Sequence, residues 1–310
     1  YASNSQENHL IEPNTVTREI AGRTFTIESG KLAKQANGSV LLRYGDTVVL
    51  VTAVISPQAR EGVDFLPLTV DYEERLYAAG KIPGGFIRRE GRPSTEATLA
   101  GRLVDRTIRP LLPKTWRREI QVIITVLSTD QDNDPNLLGI IGASTALSMS
   151  EVPFDGPVSG VTVGCLDGQL VINPTLHQLT ESSLDLVICS TREKAVMVEA
   201  GAREVPEETI SRALRLGHDA NQAILDMQEE FLQTTRKPKW EVPPAWNKPE
   251  VIADVEQLLA GRLNACIGMP GKQERQITQD NLLKELQEKL GEKYPVDDIN
   301  TAFDNILKAL

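Results

Sequence analysis

The sequence predicts an α+β domain followed by a small all-α domain, and three observations carry that prediction. Short apolar runs separated by tight turns fill residues 40–199 and are interleaved with a few helical segments, the pattern of hairpins packed with helices. Residues 234–249 read TTRKPKWEVPPAWNKP, four prolines in sixteen positions, a composition that makes a stiff connector rather than an element. Beyond it the apolar spacing is helical only. A length of 310 residues, at roughly 150 per domain, agrees with two domains.

Val40–Arg43, a Tyr44-Gly45-Asp46-Thr47 turn and Val48–Ile55 form the first hairpin, whose second arm is apolar almost throughout, as in a strand covered on both faces. Phe65–Tyr72 is the next strand. Residues 76–93, LYAAGKIPGGFIRREGRP, combine Gly and Pro with an apolar tip, which predicts a long functional loop. Ser94 is then an N-cap and Glu96 a first-turn acid for a helix running to about Leu112, with Leu99, Leu103 and Ile108 on its inner face. Gln121–Leu127 is a buried strand, followed by the acidic turn 129–135 and an apolar helix over Leu137–Met149. Two more hairpins follow, Val158–Cys165 with Gln169–Ile172 about Asp167-Gly168, and Leu184–Cys189 with Ala195–Glu199. A helix from near Pro206 closes this domain at about residue 234. The helical domain covers 246–310 and uses Val251–Leu263, Asn281–Leu290 and Asp297–Leu310.

Residues 1–15 read as a flexible tail, polar and without the basic-then-apolar order of a secretory signal. The chain lacks an initiator methionine, and Phe303, Ile306, Leu307 and Leu310 keep a helical apolar pattern to the last position, so a piece of a longer chain is expected. The longest apolar stretch, Val48–Ile55, is far short of the roughly 20 residues a spanning helix needs, and no membrane role is expected. Cys165, Cys189 and Cys266 are odd in number and widely separated, which points to buried thiols in a reducing cytosol. His9, His177 and His218 share no helix face, so a metal site is not expected here. No phosphate loop, dinucleotide fingerprint, nucleophile elbow or His-Glu-x-x-His pair is present.

The net charge of −10 would exclude a polyanion partner if it were evenly spread, but it is not. Lys81–Arg118 holds ten basic and three acidic residues, +7, whereas the rest of the chain holds 23 basic and 40 acidic residues, −17. Arg88, Arg89 and Arg92 lie in the loop, and Arg102, Arg106 and Arg109 follow at helical spacing on one face of the next helix. Either this stripe is a cationic mouth for a polyanion or it is a solvated face laced with ion pairs.

The run Phe65–Pro113, with the motif FIRREGRPSTEATLAGRLVDRTIRPLLP and the later IIGASTALS and INPT segments, resembles the first catalytic-fold copy of the polynucleotide phosphorylase family. The resemblance covers all but the first dozen or so residues. It implies a ribonuclease PH-like (ribosomal protein S5 domain 2-like) fold for 16–234, a connector over 235–249 and the family's all-helical domain over 246–310. It also implies a cytoplasmic homotrimeric ring that degrades single-stranded RNA from the 3′ end, using inorganic phosphate and Mg²⁺ (or Mn²⁺), among other RNA-decay proteins in mRNA turnover. By the same resemblance Phe86, Arg88, Arg89 and Arg92 form the loop that grips RNA, supported by Arg102 and Arg106, while Ile87 stands where the family often has a second Phe. Catalysis belongs to a second copy. Here the phosphate-holding turn is replaced by Asp132-Asn133-Asp134-Pro135-Asn136, and the metal-binding aspartates by Asn173 and Leu179, so this part is expected to be inert, with Asp185 structural. A non-catalytic scaffold subunit of an exosome-like ring is the alternative.

Overall fold

The computed structural model describes residues 14–310 except Glu61, Gly62, Asp64, Gly85, Ile87 and Ala245, so the tail before Asn14 and the Ile87 position lie outside the described residues. The chain divides into two units, 1–243 and 244–310.

The first unit opens with a hairpin that the sequence reading missed, β1 (Asn14–Ile20) and β2 (Arg23–Ser29), with Asn14 and Thr15 already in the strand rather than in a tail. Ala21 and Gly22 both take positive φ, the primed turn whose twist suits a two-residue connection. β1 escaped notice because it buries only Ile20, so its sequence carries no alternation. β3 (Gly38–Tyr44), β4 (Thr47–Ala59), β5 (Leu68–Glu74) and β6 (Arg118–Ser128) complete a six-stranded sheet in the order β1-β2-β3-β4-β6-β5, in which only the β5–β6 pair is parallel.

α1 (Thr95–Ile108) begins where expected, with Ser94 Oγ accepting from Ala97 N at 2.9 Å. Its inner face is the predicted one only in part: Ile108 is buried and Leu103 packs against the core, but Leu99 is turned out. Leu99 is 56% exposed, and the buried residues are Ala97, Ala100, Gly101, Val104, Thr107 and Ile108. Small side chains let α1 lie close on β5, and that gain outweighs burial of one leucine.

α2 (Pro135–Met149) is apolar all round because it is covered all round by β3 and β4 on one side and by the second sheet on the other. Gly142 makes the approach possible, since a Cβ there would stand 2.4 Å from Val51 Cγ2. Most polar side chains on α2 are matched, the buried Ser148 hydroxyl excepted. Gln228 Nε2 donates to Ile141 O and Thr145 Oγ1, and Ser144 Oγ accepts from Val158 N.

The second sheet is antiparallel in the order β10-β9-β7-β8, built from β7 (Ser159–Leu166), β8 (Gln169–Ile172), β9 (Leu184–Ser190) and β10 (Ala195–Ala202). A short α3 (Leu176–Glu181), opened by a Thr175–Gln178 capping box, was not foreseen, and α4 (Glu207–Thr235) covers β7 and β9.

The proline-rich segment is not free of the first unit. Lys237 N donates to Met149 O and Trp240 N to Glu151 O. Lys239 Nζ donates to the carbonyls of Leu147, Ser148 and Ser150 at 3.1, 2.7 and 2.7 Å, which satisfies the end of α2. Trp240 stacks on Trp116 at 6.3 Å, and the Arg118 guanidinium sits over the Trp240 ring. A connector was expected over 235–249, but its first half is a strap.

The second unit comprises α5 (Pro249–Leu259), α6 (Arg262–Ile267), α7 (Lys272–Leu290) and α8 (Val296–Ala309). The single helix expected over Val251–Leu263 breaks at Ala260 and Gly261, both at positive φ. Val251, Val255, Leu259, Leu286, Ile299 and Phe303 form its centre. Among the described residues no helix is long and apolar enough to cross a membrane.

Candidate nucleic-acid interface

The loop between β5 and α1 is tied down at its root and exposed at its tip. A 3-10 helix, Leu76–Ala79, starts it and ends at Gly80 with φ 67°. Leu76 N donates to Glu90 Oε1 at 3.0 Å, Thr129 N donates to Ala78 O, and Ser94 Oγ donates to Glu74 Oε2 at 3.1 Å. These bonds close the loop on itself and fasten it to the turn that precedes α2. At the tip Phe86 is fully exposed, Ile82 is 75% exposed, and Arg88 takes a positive φ of 50°. A wholly solvated Phe gains nothing from burial in the core.

The structure splits the cationic stripe into two groups. Arg88, Arg89, Arg92 and Arg102 are exposed, and their guanidinium groups make no hydrogen bond or ion pair with the described residues. The others are engaged. Arg106 pairs with Glu199 of β10 at 2.8 Å, and Arg109 grips both oxygens of Asp105 at 2.6 and 2.8 Å while donating to Leu66 O and Leu68 O. Arg117 donates to Lys114 O and Trp116 O, and Arg118 to Pro57 O. Arg102 and Arg106, which spacing alone groups together, therefore differ: the first is uncommitted and the second is held in an exposed ion pair with Glu199 worth about 0.2–1 kcal/mol. Sequence reasoning missed Glu90, which anchors the loop from inside a basic run, and Tyr77, 56% exposed beside it; an acid amid arginines and an aromatic in a Gly/Pro-rich loop were the available signals.

The turn before α2 is occupied by its own side chains. Asp130 accepts from Asp46 N, Thr47 Oγ1, Asp132 N and both Asn133 N and Nδ2. Burial alone would raise its pKa, but these donors hold the carboxyl well below the usual range. Arg23, seated 4.7 Å over the Tyr44 ring, donates to Asn133 Oδ1 and to Asn173 O. Asp134 caps α2 through Asn136 N at 2.9 Å, and burial, with the charge of Asp185 adding, pushes its carboxyl up to about 6. An incoming phosphate would meet carboxylates here instead of free donors.

The residues that replace the metal-binding aspartates do not fit a divalent ion. Asn173 Oδ1 already accepts from Thr162 N at 3.0 Å, and Leu179 has no donor atom. Among the described residues no three of His, Cys, Asp and Glu are grouped to hold a metal.

The sequence patterns of the 3′ exoribonuclease family match twice in succession, its domain 1 over residues 21–153 and its domain 2 over residues 156–220. The chain belongs to the 3′ exoribonuclease family. The family's domain 1 takes in β2 to β6 with α1 and α2, and its domain 2 takes in the second sheet and the start of α4. The chain is 50% identical over 299 residues to a polyribonucleotide nucleotidyltransferase of Dehalococcoides mccartyi (strain 195), covering 96% of this chain and 42% of that protein. It is 52% identical over 294 residues to that of Heliobacterium modesticaldum, covering 94% and 42%. The chain thus spans about two fifths of the length of these relatives. Rice Rrp46 superposes with a TM-score of 0.57 at 16% identity, over 68% of this chain and 94% of that one, so the fold is ribonuclease PH-like.

Proposed function

We propose that this chain is the RNA-holding, ring-forming portion of a polyribonucleotide nucleotidyltransferase, an enzyme that degrades single-stranded RNA from the 3′ end by phosphorolysis and releases nucleoside diphosphates. The observation that carries the reading is the set of four uncommitted arginines, Arg88, Arg89, Arg92 and Arg102, beside the fully exposed Phe86 on a loop fastened at its root. Guanidinium forks suit phosphate oxygens, and an exposed ring offers a base about 1–3 kcal/mol of stacking. The high identity to enzymes of that name supports the activity of the whole protein.

Chemistry lies outside this portion. The turn before α2 presents carboxylates, and neither Asn173 nor Leu179 can serve a divalent ion, so Mg²⁺ (or Mn²⁺) and the attacking inorganic phosphate belong to the part of the relatives that this chain does not span. The whole protein works as a homotrimer in the cytoplasm, in mRNA turnover, alongside other RNA-decay proteins. The same missing ligands also favour a second reading, a non-catalytic scaffold subunit of an exosome-like ring. A coding frame that continues past Leu310 into a serine-rich turn with paired aspartates selects the first; a frame that stops there selects the second.

The direct test incubates the purified chain with poly(A), phosphate and Mg²⁺. RNA retained without release of nucleoside diphosphates is the expected result. Turnover by this chain would overturn the assignment of chemistry elsewhere, and failure to retain RNA would overturn the holding role.

A further inference from the structure

At the root of the arginine loop lies a cavity of about 400 Å³, within the range of small-molecule sites. Leu76 and Ala79 of the 3-10 helix, Val126, Pro135 and Leu176 give it apolar walls, while Glu74, Thr129, Asp134 and Asn136 supply its polar edge. We propose that this cavity is a nucleobase pocket that takes bases carrying an exocyclic amino group.

The chemistry of the edge selects that group. Asp134 Oδ1 is spent on Asn136 N and Glu74 Oε2 on Ser94 Oγ, which leaves one oxygen on each carboxylate without a partner among the described residues. Tyr72, a buried neighbour on β5, has a hydroxyl without a hydrogen-bond partner among the described residues, and burial with the charges of Asp134 and Glu74 suppresses its ionisation. A donor bound in the cavity would fill the free carboxylate oxygens of Glu74 and Asp134. Arg75 also reaches the cavity, but it is paired with Glu73, so the lining has acidic character and rejects phosphate. The amino groups of cytosine and adenine offer two N–H donors to such carboxylates, whereas uracil offers one N3–H flanked by two carbonyl oxygens that the carboxylates repel. Apolar walls accept the faces of any base.

The position supplies the base. Leu76 N is bonded to Glu90, within the same loop that carries Phe86, Arg88 and Arg89, so a strand held by the arginines passes this cavity. In this respect the proposal rests on the RNA-holding reading, and free nucleosides separate the two because they carry no phosphate for the arginines.

Cytidine, adenosine and uridine are titrated against the purified chain and against three variants, with ligand-observed magnetic resonance as the readout. Saturable binding of cytidine and adenosine, at least tenfold tighter than uridine, is expected. Ala79→Phe, at an exposed residue that needs no core rearrangement, should abolish it. Asp134→Asn, which keeps the cap through its side-chain oxygen, should weaken it at least tenfold, and Arg88→Ala with Arg89→Ala should leave it within twofold. Equal binding of the three nucleosides, no saturation at millimolar concentrations, or indifference to Ala79→Phe would overturn the pocket. Loss of RNA binding by the arginine variant with cytidine binding intact upholds the pocket. Cytidine binding by a wild-type chain that retains no RNA would uphold it too while removing the holding role.

Discussion

Replacing Arg88 and Arg89 together by Ala tests how much of the cationic stripe acts on RNA. Single-stranded nucleic acid binding follows counterion release, with log K falling against log salt by about 0.7 for each phosphate neutralised. If all ten basic residues of Lys81–Arg118 took part, the slope would approach −7. The ion pairs and carbonyl contacts of Arg106, Arg109, Arg117 and Arg118 remove those four. The six that remain, Lys81, Arg88, Arg89, Arg92, Arg102 and Lys114, predict a slope of about −4.2, and the double variant should lower its magnitude by about 1.4. The assay is fluorescence anisotropy of a labelled oligo(A) with the wild type, the double variant and Arg109→Ala, across a series of KCl concentrations. Arg109→Ala should leave the slope unchanged, because that guanidinium is committed to Asp105 and two backbone carbonyls. An unaltered slope for the double variant, or an equal change for Arg109→Ala, would refute the partition of the stripe and leave it a solvated face.

Three further outcomes follow from the packing. Lys239→Met strips three carbonyls at the end of α2 of their donor and should lower the stability of the first unit by about 2–3 kcal/mol, read by urea unfolding. Gly142→Ala should destabilise by about 1–3 kcal/mol in the same measurement, because its Cβ would meet Val51 and Leu42, even though Ala in a helix ordinarily gains about 1 kcal/mol over Gly. Asp134 holds its proton up to about 6 in the folded chain but only to about 3.9 when unfolded, so the stability it lends below pH 4 is lost as pH rises through 6. Asp134→Asn keeps the cap without that loss, and thermal melts should show its midpoint gaining on the wild type between pH 4 and pH 7; a constant difference would contradict the assignment.

Much of the fold was legible wherever burial imposed a pattern. The β3–β4 hairpin, the uniformly apolar α2 and the N-cap at Ser94 follow from residues that are buried or that cap a helix end. The reading failed where local sequence and tertiary burial part company. The β1–β2 hairpin was invisible because β1 buries only Ile20, and on α1 Leu99 was misassigned, because it points outward while Ala100 and Gly101 make the close contact beside the expected Leu103 and Ile108. The strap over 236–243 looked like a connector because its anchors, the carbonyls of α2 and the ring of Trp116, are far away in sequence.

The amino-acid sequence by itself determined that a basic, aromatic-tipped loop precedes a helix of arginines on an acidic chain, since charge and composition are local quantities. Only the tertiary structure decided which of those charges are free. Arg102 and Arg106 stand one helical turn apart and look alike in sequence, yet Glu199 of β10 meets Arg106 and nothing described meets Arg102. Partnering depends on what the fold brings within about 4 Å, and residues 93 positions apart carry no local sign that they will meet.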